Sequence, residues 1–216
     1  MSNAEVGRHT ITQDGSAKVP ILTGGTLGNG ASYLPGGLVA GSWGTVKGSS
    51  LSTVTRIWQD SDFVGIGNKL PTILSGVQVL VNNVPAAVYF IAPGQINFQM
   101  PAGIVGSASV QVLVNGQSSN SVTAATASSS PVIFPVILQG VNYPAAVFSD
   151  GRIAGDPALG SAFRNAKPDE VLQIFATALA PVPAGVLPVQ ESITGVTVTI
   201  GNITVPADFA GLVAVG

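Results

Sequence analysis

The sequence predicts an all-β chain of two tandem β-sandwich modules. Three observations carry this: period-two apolar runs that end on turn residues, a near absence of helical patterning, and an internal repeat. Val77-Gln78-Val79-Leu80-Val81 leads into Asn82-Asn83, and Val110-Gln111-Val112-Leu113-Val114 leads into Asn115-Gly116. Val196-Thr197-Val198-Thr199-Ile200 leads into Gly201-Asn202, and Ala146-Val147-Phe148 is followed by Asp150-Gly151. Asn and Gly tolerate the left-handed backbone that a tight hairpin demands, and alternating Val and Thr suit a pleated, half-buried surface.

Only Asp169 to Ala180, with Pro168 in a first-turn position, invites a helical reading. Val171, Leu172, Ile174 and Phe175 read equally as a buried strand, and the all-β context favours the strand. The repeat is the most informative feature. Gly76-Val77-x-Val79-x-Val81-x-Asn83 matches Gly195-Val196-x-Val198-x-Ile200-x-Asn202, and Val84-Pro85-Ala86 matches Val205-Pro206-Ala207 after a two-residue length change placed in the turn. Upstream, Pro35 to Trp43 parallels Pro168 to Ala176. The reading gives an N-terminal tail at 1–23, a first module at 24–128, the linker Ser128-Ser129-Ser130, and a second module at 131–216.

Composition narrows the function. Of 216 residues, 46% are hydrophobic and only 8% charged, against about 25% charged in an average soluble domain. The polar surface must therefore come from Ser, Thr, Asn, Gln and backbone. Eight basic residues are scattered and the net charge is −2, so no dense cationic face exists to neutralise a nucleic-acid backbone. The longest apolar runs, such as Pro131 to Leu138, fall far short of the ~20 residues of a membrane-spanning helix. The absence of cysteine excludes disulfides, thiol chemistry and Cys-ligated zinc. Met1 to Pro20 has no leader-like pattern, and Ser2-Asn3-Ala4 reads as left over from cloning, so a leader is expected to have been removed.

Catalytic residues are not expected. His9 is the only histidine and sits in the polar tail, away from any acid–nucleophile pair. Asp60-Ser61-Asp62 offers two carboxylates to a cation, but Phe63 and Val64 break the spacing of a calcium loop, so Asp60 and Asp62 read as a surface loop and no metal or cofactor is expected. Gly24, Gly25, Gly28 and Gly30 are turn glycines, with no helix behind them to cradle a phosphate. The candidate ligand handles are aromatic: Trp58, Trp43, Tyr33 and Tyr89, able to stack on sugar rings or to fill the space between sheets.

Several of these stretches together resemble a known family. They are Asn29-Gly30-Ala31-Ser32-Tyr33-x-Pro35-Gly36, Arg56-Ile57-Trp58 with Asp62-Phe63-Val64, Leu70-Pro71-Thr72, Gly76-Val77-x-Val79 and Ala92-Pro93-Gly94-Gln95-Ile96-Asn97. With Gln173 to Leu179 and Gly195 to Ala207, they are similar to the C-terminal repeat domain of Solibacter-type acidobacterial proteins. The resemblance implies immunoglobulin-like modules at the C-terminal ends of secreted or surface proteins, and it supplies no catalytic residue.

The expected function is thus a non-catalytic extracellular spacer, adhesion or attachment element facing a protein or glycan at the cell surface. A carbohydrate-binding module working through its aromatics is the alternative. The second module reaches Gly216 where the first reaches Gly94, so it is expected to lack its last strands. Its open edge would be covered by the stretch from His9 to Leu22, by a second chain in a homodimer, or by polypeptide beyond this piece.

Overall fold

The structure, a computed structural model, describes residues 18–187 and 192–212. The chain is all-β: among the described residues the only helical turns are single 3-10 turns at Asp60–Phe63 and Pro157–Leu159. Asp169 to Ala180 is not helical and carries two short strands.

The first half is an immunoglobulin-like sheet structure of ten strands: β1 (Ile21–Leu22), β2 (Gly28–Asn29), β3 (Trp43–Ser49), β4 (Arg56–Ile57), β5 (Ile73–Leu74), β6 (Val77–Val81), β7 (Val84–Ala92), β8 (Gln95–Gln99), β9 (Ser107–Val114) and β10 (Gln117–Ala125). The main path runs β1-β3-β8-β7-β6-β9-β10, with β2 on β3, β4 on β7 and β5 on β6. The alternation seen in sequence sets the inner face. Val77, Val79 and Val81 are fully buried against Val110 and Val112 of β9, with Val46, Ile91, Ile96 and Phe98 in the same core. Asn82 (φ 48°) with Asn83 (φ 66°), and Asn115 (φ 50°) with Gly116 (φ 83°), hold both hairpin turns in the left-handed region.

The sheet curls until its first and last strands meet. There Asn120 stands in for a missing ladder: its Oδ1 accepts from the Leu22 N–H at 2.7 Å, and its Nδ2 donates to the Leu22 carbonyl at 3.0 Å. The expectation that the stretch from His9 to Leu22 covers the second module is corrected for its second strand. Ile21 and Leu22 pair with Ser49 and Gly48 and belong to the first sheet, while His9 and Thr10-Ile11-Thr12 lie outside the described residues.

The second half is assembled from smaller pieces: β11 (Val132–Ile133), β12 (Pro135–Leu138), β13 (Val141–Pro144), β14 (Ala146–Val147), β15 (Ile153–Ala154), β16 (Phe163–Arg164), β17 (Gln173–Ile174), β18 (Ala176–Thr177), β19 (Thr197–Ile200) and β20 (Ile203–Pro206). They pair as β11-β18, β12-β13, β16-β15-β14-β17 and β19-β20. Phe148, Ile153 and Phe163 form a small buried knot, with the Tyr143 ring 4.7 Å from Phe163.

The repeat is present as a hairpin, with one correction to its alignment. Val81 pairs with Val84, and Ile200 pairs with Ile203, so both turns have two residues. The length difference placed in the turn therefore lies further along the return strand. There Val205, not Ile203, carries the Val-Pro-Ala match, and a shift of two keeps the same face.

The halves are fastened by a strap at Val182 to Leu187. The Val182 N–H donates to the Ala40 carbonyl, Leu70 N–H to Gly185 O, and Leu187 N–H to Asn68 O. Gln99 clamps the crossing, donating through Nε2 to Gly41 O and accepting at Oε1 from Gly185 N–H at 2.7 Å. Gly41 (φ +75°) is needed here, because a Cβ at that position would stand 2.5 Å from Val182.

Candidate functional site: an aromatic cleft beside the strap

The four aromatic residues singled out in the sequence converge on one cleft of about 990 Å3, bounded on its far side by Phe134, Phe175 and the segment Ala176 to Pro183. Each arrives by a different local device. Trp43 opens β3, on the face away from the core. Tyr89 sits at a β-bulge: Val88 pairs with Phe98 and Phe90 with Asn97, so the residue between them is extra. A bulge re-aims the side chain it carries, and Tyr89 stands outside while Val88 and Ile91 remain fully buried. Trp58 follows β4 and its N–H donates to the Tyr89 carbonyl. Tyr33 occupies a left-handed turn (φ 57°) whose N–H donates to Asn29 O.

Three of these rings pack on one another. Trp58 lies 4.9 Å from Tyr89 and 5.9 Å from Trp43, and Trp43 lies 5.4 Å from Tyr89, all tilted or edge-to-face. Such geometry follows from the ring quadrupole and is worth roughly 0.5–1.5 kcal/mol per pair beyond burial. Trp43, Trp58 and Tyr89 are half-buried, with Trp58 packed against the sandwich core, and Tyr33 is 40% exposed. Trp58 thus touches the core on one side and the cleft on the other.

Phe63 joins the cluster, 5.4 Å from Trp58, from the 3-10 turn at Asp60–Phe63. That turn is held by Asp62, whose carboxylate accepts from the Gln59 N–H at 2.7 Å and pairs with Arg56. Asp62 is therefore engaged in building the loop. Asp60, exposed, lines the cleft instead, so the two carboxylates do not act as one site. Polar groups that the sequence reading missed also face the cleft: Asn97, Gln99 and Thr177. The buried Thr177 hydroxyl accepts from the Trp43 N–H at 3.2 Å across a separation of 134 residues. No short-range pattern marks these residues, because each is brought in by sheet register or by the strap.

Elsewhere, Asp150, Arg152, Arg164 and Glu170 form a charged network on the second half. Hydrogen bonds from Arg152 hold the Asp150 carboxyl down at about 2, with Arg164 adding a further favourable charge. Arg164, whose guanidinium lies 3.5 Å from the Phe148 ring centre, lowers the Glu170 carboxyl in the same sense. Two cations face two anions, so the network fastens strands and leaves no free charge for a ligand. A second hollow of about 1030 Å3 among Lys18, Ser50, Thr53, Pro93 and Asn115 carries no aromatic ring. Among the described residues no three His, Cys, Asp or Glu side chains gather, and no helix is long and apolar enough to cross a membrane. His9 lies outside the described residues.

No curated protein matches the chain significantly, and the narrower resemblance to acidobacterial repeat domains finds no support of its own. Residues 45–129, from within β3 to the end of the first half, match the IPT/TIG domain family, an immunoglobulin-like module.

Proposed function

We propose that the chain is a non-catalytic structural and attachment module of a larger secreted or cell-surface protein. The observation that supports it best is the way the second half is joined. The strap from Val182 to Leu187, the Gln99 clamp and the Trp43–Thr177 bond fix it directly onto the immunoglobulin-like half. A linker of freely moving modules needs none of these contacts, whereas a spacer that transmits position or force does. The surface of hydroxyl, amide and backbone groups, with 8% charged residues, fits a passive scaffold in a crowded exterior.

Limited thermolysin digestion tests this. A spacer with docked halves resists cleavage at Ser128 to Pro131 and at 181–187 under native conditions, with both junctions opening only as the chain melts. Rapid native cleavage at either junction, releasing an intact first half, contradicts the proposal.

A further inference from the structure

We propose that the aromatic cleft is a binding site for a short neutral oligosaccharide. This deepens the attachment reading above and rests on it, since it names the chemistry to which the module would attach.

The cleft volume, about 990 Å3, is at the upper end of the ~300–1,000 Å3 typical of ligand sites, with room for an extended chain of sugar rings. Its lining combines both kinds of group a pyranose needs. The edges and faces of Tyr33, Trp43, Trp58 and Tyr89 meet the axial C–H surface of a sugar ring, and amide and carboxylate groups meet its hydroxyls. Asn97 is oriented for this role. Its Oδ1 accepts from Thr45 Oγ1 at 3.0 Å and from Gln95 Nε2 at 2.9 Å, so its amide NH2 is the end those neighbours leave as a donor. Asp60 supplies an exposed acceptor at the cleft.

Charge selects the class of sugar. Among the described residues no Lys, Arg or His lines the cleft and one carboxylate, Asp60, does, with Lys47 Nζ 6.0 Å from the Tyr33 ring centre at its margin, so a lining of this kind favours neutral glycans over sulfated, phosphorylated or uronic-acid ones.

The molecule contains its own reporter. Trp43 and Trp58 are its only tryptophans, and both line the cleft, so all tryptophan fluorescence comes from this site. The intact chain is titrated with cellotriose, xylotriose and maltotriose, and separately with a proline-rich decapeptide. The expected result is a saturable shift with at least one trisaccharide, none with the peptide, and suppression by 1 M of that sugar's monomer. Tyr33→Ala and Asn97→Ala should each weaken binding by about tenfold. The exposed Tyr33→Ala variant should keep the parent melting temperature. A flat titration with all three sugars overturns the proposal, as does a shift that both variants retain. A saturable response to the peptide alone assigns the cleft to apolar peptide and overturns it too. Fluorescence reads the cleft and the protease reads the junctions, so a flat titration of a chain that resists thermolysin overturns the glycan site alone, and failure of the two readings is distinguishable.

Discussion

In the first half, Val77, Val79 and Val81 are fully buried, with β9 hydrogen-bonded along one side of their strand and β7 along the other. At the same places relative to the turn in the second half, Val196 and Val198 are half-buried and Ile200 is 63% exposed. Across the strand, Ile203 is 70% and Val205 47% exposed, while Thr199 and Thr204 join hydroxyls at 2.8 Å on the opposite face. The two hairpins share a pattern, a two-residue turn and a register. What lies over them is very different. A hairpin supplies a face and two edges, and its stability comes from the layers that cover them.

The largest effect should come from placing a charge in each hairpin. Val79→Asp puts a carboxylate where there is no partner or water and should abolish cooperative unfolding, whereas Ile200→Asp should move the midpoint by less than about 0.5 kcal/mol. Urea titrations followed by tryptophan fluorescence compare them, and equal losses would erase the distinction between the hairpins.

This contrast also explains what was legible in the sequence. The period-two runs and their turn residues locate β6, β9 and β19 closely, because strand alternation and turn chemistry are local. The aromatic residues were found for the same reason: Trp and Tyr are conspicuous in a chain with so few. Their convergence was not legible. It depends on the Tyr89 bulge, on pairing of Arg56 with Ile91, and on Thr177 reaching Trp43 from far along the chain. The Val-Pro-Ala match led the length change into the turn, because a period-two shift leaves the polarity pattern identical.

A smaller difference should separate ring truncations. Trp58→Ala removes a half-buried ring packed on the core and should cost about 2 kcal/mol, part of the 3–5 kcal/mol of a fully buried one. Phe209→Ala, at a ring 57% exposed, should fall within about 0.5 kcal/mol. Thermal melts of both variants sharpen the comparison.

Next in size is the clamp between the halves. Gln99→Ala removes one hydrogen bond to the strap and one to Gly41 beneath it, and leaves the Gly185 N–H unpaired, about 1–2 kcal/mol against docking. Thermolysin should then cut within 181–187, while exchange of the Val79 and Val112 amides stays unchanged.

The smallest effect is electrostatic and confined to the second half. Asp150 has a folded pKa of about 2 against 3.8 for the free group, so its contribution is complete above pH 3.8 and is lost as pH falls through 2. The Arg152 and Arg164 signals should change over that window in an NMR acid titration, and Asp150→Asn should remove the change. The site is solvent-exposed and salt-screened, so the first half should not respond.

Hydrogen exchange read residue by residue on the native chain tests the central claim most directly, namely that the first half alone holds a closed core and the second half depends on its seat against it. Amides of Val79, Ile96 and Val112 should exchange only by global unfolding. Those of the Thr197–Pro206 hairpin should exchange through openings at least about 3 kcal/mol cheaper. Equal protection in both hairpins would mean that the second is covered as well as the first, and would contradict the account.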